Sequence, residues 1–108
     1  MANPPPLLSV PSPATPGQVM EIRALIRHPM ETGYRPDESG RLQPRDLIRL
    51  FTCTYLGREV FRATLHSAIA ANPYLTFMLR AEASGELHFL WEGDNGFRET
   101  ASRQLTVR

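Results

Sequence analysis

Alternation of apolar and polar side chains is the dominant pattern of this chain. From Gln18 to His28, Met20, Ile22, Ala24 and Ile26 fall on one side while Glu21, Arg23 and Arg27 mark the other. That period of two is the signature of a half-buried strand. Pro29 ends it, having no N–H for a ladder. A second strand is predicted over about Leu47 to Leu56, centred on Phe51-Thr52-Cys53-Thr54-Tyr55, the run richest in β-branched and aromatic residues. Successive side chains point to opposite faces, so Phe51, Cys53 and Tyr55 share one face and Thr52 and Thr54 the other. Gly57 turns the chain into a third strand, about Glu59 to Leu65, with Phe61, Ala63 and Leu65 inward. His66 to Asn72 has helical leanings but room only for a turn. Pro73 closes it, and Tyr74 to Ala81 follows with Leu75, Phe77 and Leu79 inward. After Ser84-Gly85, Leu87, Phe89 and Trp91 alternate with Glu86, His88 and Glu92. Asp94-Asn95-Gly96 reads as a hairpin turn, because Asn-Gly accepts the positive φ such turns need. The last strand covers about Phe97 to Val107.

Six or seven short strands with no long helix and no repeat predict an all-β fold, an immunoglobulin-like antiparallel β-sandwich. An open β-barrel is the other way to close such a sheet. Six of the ten prolines fall within Met1 to Pro16. Restricted φ and missing donors there predict an extended, flexible arm over residues 1–17. A single domain then occupies residues 18–108. Met30 to Asp46 is the longest irregular stretch, with two glycines, two prolines and seven charged residues. Asp37-Glu38-Ser39-Gly40 reads as a tight turn closing a small β excursion with Arg41 and Leu42 beyond it. Loops of this length in a compact domain are commonly functional.

Composition narrows the function classes. The 108 residues are 42% hydrophobic and 21% charged, as in an ordinary globular domain. All 12 basic residues are arginine, the net charge is +1, and no dense basic stripe forms. Phosphate neutralisation along a nucleic acid and polybasic membrane anchoring both lack their charge pattern. Nothing approaches the roughly 18 apolar residues of a membrane-spanning helix, and the first residues lack the basic and apolar regions of a signal peptide. A single cysteine excludes an internal disulfide and a multi-cysteine metal site. His28, His66 and His88 are far apart, without metal-motif spacing, so no metal or cofactor is expected. His28 is expected at a strand end, bonded to a loop carbonyl, and His88 on the solvent side.

Cys53 admits two readings. As a nucleophile it needs exposure and a depressed pKa from a cation or a helix N-terminus; as core filler it needs neither. Mid-strand between Phe51 and Tyr55, it is expected to be a buried structural thiol. The enzyme alternative is a small thiol-dependent sulfur transferase using Cys53. A stand-alone binding sandwich is a third class. No Gly-rich phosphate loop or serine elbow is present, and Glu31, Asp37 and Glu38 lie on the loop, where acid–base geometry is hard to hold. What the chain does carry is surplus apolar groups on its polar faces: Leu25, Leu50, Leu56, Val60, Tyr74, Met78 and Leu90. Such a face is covered either by another chain or by the Met30–Asp46 loop.

Three stretches carry a resemblance. His28-Pro29-Met30-Glu31-Thr32-Gly33, then Phe51-Thr52-Cys53-Thr54-Tyr55 with Glu59-Val60-Phe61, then Ala70-Ala71-Asn72-Pro73-Tyr74 resemble the SoxZ family. Members are the small subunit of the SoxYZ carrier of bacterial thiosulfate oxidation. The similarity runs from about Gly17 to the C-terminus. It implies a non-catalytic scaffold that pairs with SoxY, whose C-terminal cysteine carries covalent sulfur intermediates, and presents them to other Sox enzymes in transient contacts. It also implies a periplasmic destination reached with a signal-bearing partner. This chain ends Arg103-Gln-Leu-Thr-Val-Arg108, without the glycine or cysteine of a carrier arm. Charge density on the loop and misplaced hydrophobes on the fourth strand make Arg35, Arg41, Tyr74 and Met78 the expected partner contacts.

Overall fold

Seven strands form two antiparallel sheets in the computed structural model, which describes residues 4–108. They are β1 (Leu7–Ser9), β2 (Val19–Leu25), β3 (Ile48–Tyr55), β4 (Arg58–Thr64), β5 (Tyr74–Arg80), β6 (Gly85–Gly93) and β7 (Arg98–Leu105). The smaller sheet has the order β1-β2-β5 and the larger β4-β3-β6-β7. This is the expected sandwich, with β4 lying beside β3 on the larger sheet. The inward rows are those the alternation predicts. Ile22, Phe51, Cys53, Phe89 and Trp91 are fully buried, and Met20, Ala24, Phe77 and Leu79 nearly so. Phe51 is the centre of this core. Its ring lies 5.0 Å from Trp91, 6.0 Å from Phe61, 6.2 Å from Phe89 and 6.3 Å from Phe77, so it touches both sheets. Among the described residues the Trp91 indole nitrogen is the one buried side-chain polar atom without a partner.

The proline-rich segment differs from its expectation. Its first three residues lie outside the described residues, but from Leu7 onward it is part of the sandwich. Leu7, Leu8 and Ser9 pair with Leu25, Ala24 and Arg23 of β2. Ala14, 3% exposed, forms a parallel bridge with Val107. Its N–H donates to the Thr106 carbonyl at 2.8 Å, and the Thr106 N–H donates to Ser12 Oγ at 3.1 Å. The physical reason is that the small sheet would otherwise present β2 as a bare edge, with which the non-proline residues Leu7–Ser9 pair, while Ala14 pairs with Val107. The segment therefore closes the β1/β7 side of the sandwich. On the opposite side β4 and β5 are both edge strands. Phe61 and Phe77 stack across that gap at 4.4 Å.

The core is fastened at both ends. At one end the Tyr55 hydroxyl accepts the Glu82 and Ala83 N–H groups at 3.0 and 3.1 Å and donates to the Ala83 carbonyl. At the other, Gly93 allows a close backbone crossing, since an added Cβ would lie 2.3 Å from the Leu47 carbonyl oxygen and 2.8 Å from Ile48 Cα. Asp94 donates its N–H to that same carbonyl at 2.8 Å. Two consequences can be measured. Gly93→Ala must push β3 from β6 and should lower unfolding stability by about 1–3 kcal/mol in denaturant melts. Removal of residues 1–13 should lower the melting temperature by several degrees and promote association through the uncovered β2 edge; a truncated chain melting like the full one would place no weight on β1.

Candidate functional site

Chain direction gathers the irregular segments at one pole of the sandwich. β2 and β6 end there, and β3, β5 and β7 begin there, so the Met30–Asp46 loop, the β4–β5 connection and the 3-10 turn at Asp94–Gly96 all share that end. Two of the sequence motifs meet at it. The His28 backbone N–H donates to Asn72 Oδ1 at 2.8 Å, and the Asn72 N–H donates to the His28 carbonyl at 2.7 Å. Asn72 does this with φ +53, the left-handed region that asparagine tolerates. The His28 ring is buried; Nδ1 accepts the Met30 N–H at 3.0 Å, and Nε2 lies 3.5 Å from Asp46 Oδ1. That corrects the expected carbonyl partner: Nδ1 is an acceptor here, which places the imidazole proton on Nε2 toward Asp46. Met30 Sδ in turn accepts the Ile48 N–H at 3.3 Å.

The loop itself is the predicted β excursion. Glu31 bridges Asp46 and Pro36 bridges Leu42. At its tip Asp37 Oδ1 accepts from Ser39 Oγ and from the N–H groups of Ser39 and Arg41, which holds the carboxyl below its usual range. Arg35 and Arg41 differ in setting. Arg35 is engaged with Glu31 in a two-pronged ion pair, whereas Arg41 is exposed and its guanidinium has no protein partner among the described residues. Tyr34, 82% exposed, and Leu42, 57% exposed, also project from the excursion. Neither is an expected contact from the sequence, because an aromatic or leucine among charged loop residues carries no periodic signal.

Tyr74 and Met78 lie on the outer face of the small sheet, 57% and 61% exposed. Register aligns Leu7, Leu25 and Tyr74 in one row across β1, β2 and β5, with Met78 opposite Glu21 and Val19 opposite Arg80. The result is an apolar row at the loop pole bordered by an Arg23–Glu21 ion pair. Of the two covers the sequence left open, the chain's own loop does not cover this face. The larger sheet's outer face is different: Leu50 and Leu90 are half-buried and Thr52 is 8% exposed. Leu56 sits in the distant β3–β4 turn, and Val60 is the extra residue of a bulge opposite Cys53 and Thr54.

Cys53 is fully buried, flanked in register by Phe61 and Phe89. Burial pushes its thiol up to about 12, the opposite of what a nucleophile requires. None of the histidines reaches it by a hydrogen bond; His88 pairs with Ser102 on the outer face, and His66 Nδ1 accepts the Ala68 N–H. Among the described residues no group of three or more His, Cys, Asp or Glu is placed to hold a metal ion.

A polar pocket of about 250 Å³ opens at the loop pole, lined by Thr32, Tyr34, Arg45, Leu47, Arg49, His66 and Ser67. Asp94 braces it from behind. Its Oδ2 is 3.1 Å from Arg45 Nε and its Oδ1 accepts from Arg49 Nε at 2.7 Å, while Oδ2 also accepts the Leu47 N–H at 3.1 Å. Arg49 is the chief reason that this carboxyl lies below its usual range.

The comparisons with known proteins agree with this architecture. No curated protein matches the sequence. A superoxide reductase (neelaredoxin) from Ignicoccus hospitalis shares the fold at TM-score 0.73 and 20% identity, with 96% of this chain and 80% of that one aligned. The sulfur carrier protein SoxY from Chlorobium limicola f thiosulfatophilum shares it at TM-score 0.64 and 12% identity, over 95% and 78% of the two chains. At such identities the likeness is one of fold. The family description "Sulphur oxidation protein SoxZ", by contrast, matches residues 9–104, nearly the whole chain and with it the segment carrying Ala14. The chain belongs to the SoxZ family of sulphur oxidation proteins.

Proposed function

We propose that this chain is a non-catalytic scaffold subunit that pairs with SoxY and helps present thiol-bound sulfur intermediates to the other enzymes of thiosulfate oxidation. The observation that carries the reading is the apolar row Leu7–Leu25–Tyr74 on the outer face of the small sheet, with exposed Met78 four residues further along β5 on the same face. Apolar residues that align in register across three strands, exposed at Leu7 and Tyr74 and half-buried at Leu25, form a contiguous row of the kind interfaces use. The SoxY of Chlorobium limicola shares this fold, so the proposed partner is a sandwich of the same kind. Heterodimer formation through this face is the core of the proposal, and periplasmic residence after export with a signal-bearing partner is a further part of it. The excursion bearing Tyr34, Arg41 and Leu42 projects from the same pole and supplies contacts to transient partners.

A thiol enzyme built on Cys53 finds no support in a sulfur atom that is sealed between the sheets with a pKa of about 12. On that ground, iodoacetamide at pH 8 should leave Cys53 of the native chain unmodified and label it rapidly in denaturant. Fast native labelling would restore the transferase reading. Co-expression with SoxY tests the scaffold reading directly. Met78→Glu should reduce recovery of the complex severely, because burying an unpaired carboxylate costs several kcal/mol, while the isolated variant keeps its fold. Unchanged recovery removes the face from the interface. Arg41→Glu should leave the heterodimer intact and slow turnover by the assembled pathway. Arg35→Glu is the poorer probe, since it also places two carboxylates together at Glu31.

A further inference from the structure

We propose that the pocket at the loop pole binds a tetrahedral oxoanion of sulfur. Its lining holds two guanidinium groups, an imidazole and three hydroxyl-bearing side chains, and no carboxylate. Asp94, the carboxylate paired with this cluster, takes the Nε edge of both arginines. Among the described residues the terminal nitrogens of Arg45 and Arg49 have no protein partner. The braced cluster thus keeps one positive charge in surplus, with several donors available, the arrangement that suits an anion with several acceptor oxygens. His66 adds to this: its Nδ1 accepts the Ala68 N–H, so Nε2 carries the proton. Two other acids beside the pocket are engaged elsewhere. Glu31 holds Arg35, and Asp46 faces His28 and accepts from Asn95.

The site is also held in shape. Asp94 exchanges hydrogen bonds with the Leu47 backbone in both directions. Gly33, at φ +92, brings the opposite wall so close that an added Cβ would sit 3.3 Å from Arg45 Cβ. At about 250 Å³ the pocket is smaller and more polar than a site for a drug-sized organic ligand. The anion site stands on this geometry; the choice of sulfur rests on the proposed role in sulfur oxidation. The same group arrives either as a free anion or as the sulfonate end of a modified thiol on a partner chain.

Amide-resolved NMR titration of the full chain separates these. Sodium thiosulfate, sodium sulfate and S-sulfocysteine are added at constant ionic strength. Saturable shifts are expected at Thr32, Arg45, Arg49 and Ser67. Arg45→Gln and Arg49→Gln should each weaken binding about tenfold. Arg62→Gln removes a charge that Glu59 holds outside the pocket and should change nothing. Ser67→Ala, which leaves the braced cluster whole, should weaken binding a few-fold and guards against loss of fold in the arginine variants. Tighter binding of S-sulfocysteine than of the inorganic anions identifies the thiol-borne source, and the reverse identifies the free one. Shifts that do not saturate, equal loss in Arg62→Gln, or tighter binding of phosphate than of any sulfur anion would overturn the proposal. If oxoanions fail to bind while the SoxY complex forms normally, the pocket falls and the subunit reading stands. Saturable binding in a chain that captures no partner upholds the pocket and removes the subunit reading.

Discussion

Everything in this sandwich depends on the Phe51 ring being packed from both sheets at once. It meets Phe61 on its neighbour strand, Phe89 and Trp91 on the other neighbour, and Phe77 across the gap. Each strand here is at most nine residues long and too short to be stable alone. Aromatic area shared between sheets supplies the common core that makes them cooperative. Cys53 and Tyr55 follow Phe51 on the same face and inherit its environment. The thiol is dry because of its place in that row, and no local feature of its own sequence is needed to silence it.

From this core the two poles take different roles. At the pole of Tyr55 one hydroxyl ties the β5–β6 connection to β3, and Arg58–Glu82 and Ser84–Val107 contacts add to it. The opposite pole is assembled from three separate segments, and His28 with Asn72 is the clamp that holds two of them. This gives the family resemblance a physical basis. The histidine, proline and methionine of one motif, and the asparagine and proline of another, are residues that shape backbone: a left-handed asparagine, a buried imidazole acceptor, a thioether accepting a strand N–H. They preserve the platform on which the excursion and the basic pocket stand, and the exposed groups can then differ in chemistry.

The sandwich is asymmetric at its sides as well. One side is sealed by the proline-rich segment through Ala14 and Val107; the other leaves β4 and β5 as edges. β4 is protected by the bulge at Val60 and the Arg62–Glu59 ion pair, both devices that discourage strand addition. The small sheet's outer face has no such guard at Tyr74 and Met78. On the proposed reading, association is directed to that face and away from an edge, as a specific partner requires.

The sequence by itself determined the fold class, the strand positions and the inward rows, because alternation is a local property and burial follows from it. It also determined that Cys53 lies in the core, since its neighbours on the same face are Phe51 and Tyr55. The excursion tip was legible for the same local reason, with Asp37 and Gly40 specifying their own turn. Tertiary structure alone decided the rest. The role of Leu7–Ser9 needed a bare β2 edge to pair with, and three residues among prolines carry no period. Asp94 stands far along the chain from Arg45 and Arg49, and their union required β6 to end where β3 begins. The row Leu7–Leu25–Tyr74 exists only once three strands have chosen their register, because contact between strands is set by pairing and never by order in the chain.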